Sequence, residues 1–149
     1  MNPYDMVRAQ LEKTVPFATY TGVKIEEVAE GRGVASLTQR DEISNHINSV
    51  HAGAMFTLGE AASGAALAGT LVDRLMGVRP VAAKAEITYV AVAKGSLKAT
   101  AAPTETAAAI KEKLDTDGKV QFDVDVTVTD ADDKTVGTMV VRWHVKNLG

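Results

Sequence analysis

Asn45 stands six places before His51, and the run His51-Ala52-Gly53 leads into an apolar stretch. In that stretch Glu60, nine places after His51, is the only charged side chain between Ala52 and Leu71. A carboxylate set among Phe56, Leu58, Ala61, Ala62, Ala65 and Leu67 is costly to bury unless it is used. The chemistry that suits it is that of a general base or a nucleophile in a mostly apolar cleft. A helix starting at Ala52 or Gly53 would present unpaired backbone N–H groups and the positive end of its dipole, a place for a developing oxyanion. Gly53 would let a ligand come close to that backbone. His51 has two readings, contact with a substrate or an internal hydrogen bond that holds the turn. The bland alternative for Glu60 is a buried carboxylate paired with a lysine or with capping polar groups elsewhere.

These groups need a scaffold. Ala, Leu, Met and Glu favour helix, so one long helix is expected from Gly53 to about Leu75, its glycines and alanines allowing another element to approach its backbone. Nine helical steps from His51 to Glu60 turn about 900° at roughly 100° per residue, so a helix containing both would face them to opposite sides. Two antiparallel copies could then each supply half of one site. Asn45, Asn48 and Ser49 bring turn and capping chemistry just before the helix.

The flanking segments read as sheet. Val23 to Val28 and Arg32 to Gln39 form a strand pair about Glu30-Gly31. Arg79-Pro80 closes a connection, after which Ala82 to Val92 and Ser96 to Ala102 resume strand periodicity around Lys94-Gly95. Val120, Phe122, Val124, Val126 and Val128 alternate with polar residues, Asp130 to Lys134 makes a turn, and Val136 to Val145 returns beside them. Thr104 to Leu114 is left between a solvated helix and a loop. Pro3 to Thr14 is expected as a short amphipathic helix that Pro16 stops or bends, with Phe17 and Tyr20 adding apolar lining to a sheet edge or cavity mouth. The order implies an α+β fold, an antiparallel sheet packed on one central helix.

A length of 149 residues suits one domain over 1–149 with residues 1–16 as a helical extension. A net charge of −3 and the lack of a basic run or a glycine-rich phosphate loop argue against nucleic acid as a partner. Cysteine is absent, which excludes disulfides, a thiol nucleophile and cysteine metal sites. His46, His51 and His144 form no zinc motif, and no metal is expected. Glu60, Ser63, Gly64 and Gly69 interrupt the apolar segment, so no membrane span is expected, and a cytoplasmic location is the default.

Asn45, His51-Ala52-Gly53 and Glu60 resemble the Asn, His-Gly-Gly, Asp/Glu signature of the hotdog-fold acyl-CoA thioesterases, specifically the phenylacetate-pathway thioesterase-like group. The run Ala83-Lys84-Ala85-Glu86-Ile87-Thr88-Tyr89, followed by Lys94-Gly95-Ser96-Leu97, is similar to that group's strand leading to a Tyr and a Lys-Gly turn. The resemblance implies a long helix wrapped by a highly curved antiparallel sheet, paired into a homodimer with two composite sites and, further, into a homotetramer built as a dimer of dimers. It implies that the backbone N–H of Ala52, which replaces the first glycine of the signature, binds the thioester carbonyl. Glu60 would be the catalytic acid, and Asn45 the amide that holds water or substrate beside His51. Gly53, Asn48, Tyr89, Lys84 and Lys94 fall on the substrate-binding side. Asn48 stands where glycine is common, and Ala91 and Val92 replace a frequent Arg-Pro pair that could contact phosphate.

The implied reaction is hydrolysis of an acyl-CoA thioester to free acid and coenzyme A, with no cofactor beyond the coenzyme A of the substrate. The Ala52, Asn48, Ala91 and Val92 departures keep open a non-catalytic acyl-CoA or acyl-ligand binding protein on the same fold. A dehydratase or hydratase is disfavoured by the lack of a His-Phe-Pro-Gly motif.

Overall fold

Thirteen of the 19 residues of the helix Ala52–Thr70 (α3) are buried, and everything else is arranged to cover them. The computed structural model describes residues 2–149. Ahead of α3 lie two helices, Pro3–Thr14 (α1) and Pro16–Thr21 (α2), and two strands, Lys24–Ala29 (β1) and Arg32–Thr38 (β2). After it come Val78–Tyr89 (β3), Ser96–Pro103 (β4), Ala107–Asp117 (α4), Lys119–Thr129 (β5) and Thr135–Asn147 (β6). The strands form one antiparallel sheet in the order β1-β2-β4-β5-β6-β3, curved around α3. This is the hotdog architecture that the resemblance implies.

The period-two pattern of β5 sets the register of the core. Val120, Phe122, Val124 and Val126 lie opposite Val145, Trp143, Val141 and Met139 of β6, all facing α3. The approach of helix to sheet is closest at two glycines. A Cβ on Gly33 of β2 would collide with the α3 backbone at Ala62 and Ala66, and one on Gly69 of α3 would collide with the backbone of Ala29. The glycines that cost α3 intrinsic helicity, together with its alanines, are what let the sheet backbone sit against it.

Several boundaries differ from expectation. α3 ends at Thr70 rather than near Leu75, because the next residues are drawn to α4: Asp73 pairs with Lys111 at 3.2 Å and Arg74 with Asp115 at 2.7 Å. Thr104 to Leu114 resolves into an ordered turn and α4, capped by the Thr106 hydroxyl. Pro16 both ends α1 and starts α2, at the first-turn position proline tolerates. Arg79 and Pro80 lie inside β3 rather than in a connection. Proline is accommodated there because β3 is the edge of the sheet and its far side has no partner strand. Exposure on both faces of β3, where alternation was expected, arises because α3 packs mainly on β1, β2, β4 and β5 and does not cover this strand.

The two glycines of α3 that differ in clearance test this packing. Gly69→Ala gains about 1 kcal/mol of helix propensity yet is expected to lower stability by about 1–3 kcal/mol net of that gain, because the methyl meets backbone. Gly64→Ala, whose Cβ would meet only Trp143 ring atoms at 3.7 and 4.0 Å, is expected to hold or raise stability. Urea midpoints of the two variants check the contrast, and equal shifts would remove the close-approach argument.

Candidate active site

His51 caps α3 from outside the helix, its backbone extended at φ −61° and ψ 141°. Its Nδ1 accepts the Gly53 N–H at 2.8 Å, so the neutral ring carries its proton on Nε2. The His51 carbonyl accepts from the N–H groups of Ala54 and Met55 at 2.9 and 3.1 Å. Of the four N–H groups that open the helix, that of Ala52 alone has no partner among the described residues. His51 thus holds the turn through an internal bond and leaves one donor, at an exposed residue, pointing outward. Tyr89, at the end of β3, donates its hydroxyl to the Ala52 carbonyl at 3.0 Å and braces the same residue from the other side.

The expected half-turn between His51 and Glu60 does not arise, because the cap lies outside the helix. Gly53, Phe56, Glu60 and Gly64, spaced by three or four residues, form the incompletely buried stripe of α3, so Glu60 faces nearly the same way as Gly53. What separates the two ends is axial rise: eight residues at about 1.5 Å each put Glu60 about 12 Å from Ala52. One chain cannot bring both to one carbonyl.

Glu60 borders an apolar cavity of about 270 Å³ between α3, the α1–α2 pair and the end of β6. Its walls include Leu11, Val15, Phe17, Gly64 and Trp143. Burial pushes the Glu60 carboxyl above the ordinary carboxylate range. None of the eight ion pairs among the described residues includes Glu60, so the lysine partner of the bland reading is not there. The other carboxylate on this cavity, Glu12, is occupied: its Oε1 accepts the Ile25 N–H at 2.9 Å and ties α1 to β1.

A second hollow, of about 430 Å³, lies at the helix start between Phe17, Tyr20, Arg40, His51 and Gly53. Phe17 and Thr57 border both hollows. Arg40 donates to the carbonyls of Thr21 and Tyr20 at the C-terminal end of α2, at 2.5 and 2.8 Å. It thereby fixes α2 beside the helix start. Thr57, Arg40 and Trp143 escaped sequence reasoning, since their neighbours are remote in the chain and no local pattern marks them.

The remaining expected residues are not gathered at this place. Asn45 spends its side chain within its own loop, Oδ1 accepting the N–H groups of Ile47 and Ser49 and Nδ2 donating to Ser49 Oγ at 2.8 Å. Asn48 takes the left-handed conformation at φ 57°, as a residue in a glycine position must, and its carbonyl accepts from Gln39. Lys84 pairs with Glu86 on β3 at 3.1 Å, both well exposed. Lys94 is exposed in the turn before β4, where Gln39 Oε1 holds the Gly95 N–H at 2.9 Å.

A family profile described as a domain of unknown function, DUF4442, matches residues 5–145. The chain belongs to the DUF4442 family. No curated protein matches the sequence. Among solved structures, this DUF4442 chain is similar to a probable thioesterase of unknown function from Pseudomonas aeruginosa, PA5026, with 21% identity over 98% of this chain and 97% of that one and a TM-score of 0.84. It is similar to the Escherichia coli PaaI protein of the phenylacetic acid degradation operon, with 20% identity over 99% and 94% and a TM-score of 0.76. It also resembles a mutant of the thioesterase SAV0944 from Staphylococcus aureus, with 19% identity over 89% and 99% and a TM-score of 0.74. At such identities the likeness is one of fold. Among the described residues of this DUF4442 chain no helix is long and apolar enough to cross a membrane.

The raised Glu60 carboxyl carries a sign that melting can read. Above its ordinary value of 4.5 the folded chain holds a proton that the unfolded chain releases, so stability falls as pH rises through that window. The full penalty stands above the folded-state value. Glu60→Gln should therefore melt higher than the parent at pH 7.5, and the difference should close as pH drops below about 4.5. A gap that is absent at pH 7.5 would deny the burial that raises the carboxyl.

Proposed function

We propose that the protein hydrolyses an acyl-CoA thioester to free acid and coenzyme A, in sites that two copies of the chain share. The observation that carries this reading is the pairing of one unpartnered N–H at the start of α3 with one unpaired carboxylate on the same helix, about 12 Å apart along it. An antiparallel second copy would bring its Glu60 opposite the Ala52 N–H, and each chain would do this for the other. The free edge of β3, with Val81 and Tyr89 nearly half exposed, supports the pairing, because it offers a strand to a second β3.

The reaction follows from those two groups. Glu60 takes a proton from water as the water oxygen bonds to the carbonyl carbon, and a carboxyl raised above its usual range is the better base for it. The displaced electron pair moves onto the carbonyl oxygen, which the Ala52 N–H and the helix dipole stabilise. Collapse breaks the C–S bond, and the proton on Glu60 passes to the leaving thiolate. Direct attack by Glu60, giving an anhydride that water then opens, uses the same placement. His51 and Tyr89 act by fixing Ala52 from two sides, whereas Asn45 braces the loop that leads into the cap and keeps one Nδ2–H for water or substrate.

Glu60→Gln should lower turnover at least about 100-fold with the fold intact, since it keeps size and removes the base. Ala52→Gly should stay active. Ala52→Pro should lose activity by deleting the N–H, while the first helical position and the extended His51 before it accept proline without strain. Release of free thiol from a panel of acyl-CoAs is the readout. Failure of the parent to hydrolyse any member, with binding retained, would favour the non-catalytic acyl-ligand protein.

Mixing the two inactive variants tests the shared site directly. After subunit exchange, a heterodimer of Glu60→Gln and Ala52→Pro chains has one site with both lesions and one with neither, so activity should return toward half per dimer. Verified heterodimers without recovered activity would refute the shared assignment.

A further inference from the structure

The cavity beneath the N-terminal helices is too large for a packing defect. Well-packed interiors hold few voids bigger than a water molecule, and this one is about 270 Å³. Its lining is apolar apart from the hydroxyls of Thr19 and Thr57, which donate to the backbone carbonyls of Glu12 and Gly53, and two carboxylates, Glu12, which is held by the Ile25 N–H, and Glu60, which is free. It opens beside the one group proposed to act on a carbonyl, and Trp143 forms part of its wall, where the indole Nε1–H is already taken up by Ser63 Oγ at 3.0 Å. The side-chain donors of the lining, on Thr19, Thr57 and Trp143, are therefore spent within the protein, and Glu60 is the polar group left free.

From this geometry we infer that the cavity between α3 and the α1–α2 pair receives the acyl chain of the substrate, in the same subunit that supplies Glu60. The inference rests on the thioesterase reading for the identity of the ligand, but the cavity itself does not. The class it selects is an uncharged, apolar acyl group. A tail ending in a carboxylate would bring a third acid into a hollow that already holds two and offers no cation among its lining residues. Scaling from an apolar cavity of about 150 Å³ that takes benzene, the volume suits roughly ten carbons. Leu11, Val15 and Phe17 line it from the N-terminal helices, so α1 and α2 take part in reading chain length together with Ile25 and Trp143 of the sheet.

Gly64 gives a direct way to fill the hollow. A Cβ there meets only Trp143 ring atoms at 3.7 and 4.0 Å, so a larger side chain can enter without striking backbone. The chain has a single tryptophan, and it lies on this wall, so its emission reports occupancy whether or not anything is hydrolysed. The full-length protein would be titrated with 1-decanol while Trp143 emission is followed, and kcat/KM would be measured for straight-chain acyl-CoAs from two to sixteen carbons. Both would be repeated for Gly64→Leu and, should that variant not fold, for Ala61→Leu, which fills the same hollow from the next turn.

The expected result is a saturable change in Trp143 emission with decanol that weakens at least tenfold in the filled variant. The ratio of decanoyl-CoA to butyryl-CoA kcat/KM should also fall at least tenfold. Hydrolysis with no tryptophan response and an unaltered chain-length profile would overturn the assignment while leaving the thioesterase reading intact. A tryptophan response abolished by filling, in a protein that hydrolyses no thioester, would uphold the cavity as an acyl site and overturn the reaction instead.

Discussion

The structure depends on one constraint, the enclosure of a helix that has almost no polar surface and almost no side-chain bulk. α3 is made largely of alanine and glycine, its glycines weaken it as an isolated helix, and it must be stabilised by what lies against it. The sheet meets that requirement by bringing backbone to backbone at Gly33 and Gly69, where any side chain would force the layers apart. Wrapping of this kind covers one side of a cylinder. The stripe of Gly53, Phe56, Glu60 and Gly64 stays outside it, and that stripe is where the chemistry sits.

The chain uses the two ends of this stripe differently. At the start of α3 the His51 ring and carbonyl consume three of four opening donors, which leaves the Ala52 N–H as a single, directed group. In the middle, the α1–α2 pair leaves Glu60 half buried beside apolar walls, which keeps its carboxyl less acidic than in water. Neither device needs a charged partner. The helix backbone supplies one group and desolvation tunes the other.

Much of this is legible in the residues because it depends on local pattern. The alternation of β5, the lone acid in an apolar run and the proline that stops α1 each carry their meaning within a few positions, and the structure has them where expected. The end of α3 was not legible, because it depends on Lys111 and Asp115, some forty residues on. Nor were the roles of Asn45 and Arg40. Polar side chains in loops look alike in one dimension, and only the fold shows that Asn45 closes on its own turn while Arg40 reaches back to α2. The half-turn between His51 and Glu60 failed for a related reason: spacing tells nothing about which residue is the last outside the helix.

Pro80 limits what the open edge of β3 can pair with. The bond from the Leu148 N–H to the Gly77 carbonyl sets the alternation along the start of β3, and it turns Pro80 toward the open side of the strand. Proline has no donor to offer there, and the register shift between Ala82 and Lys84 breaks the regular spacing just beyond it. A strand laid against β3 can therefore add regular pairing only along the stretch that ends at Tyr89. An edge that would otherwise offer its whole length for pairing is interrupted at Pro80 and carries charged side chains at Lys84 and Glu86 along the stretch that remains.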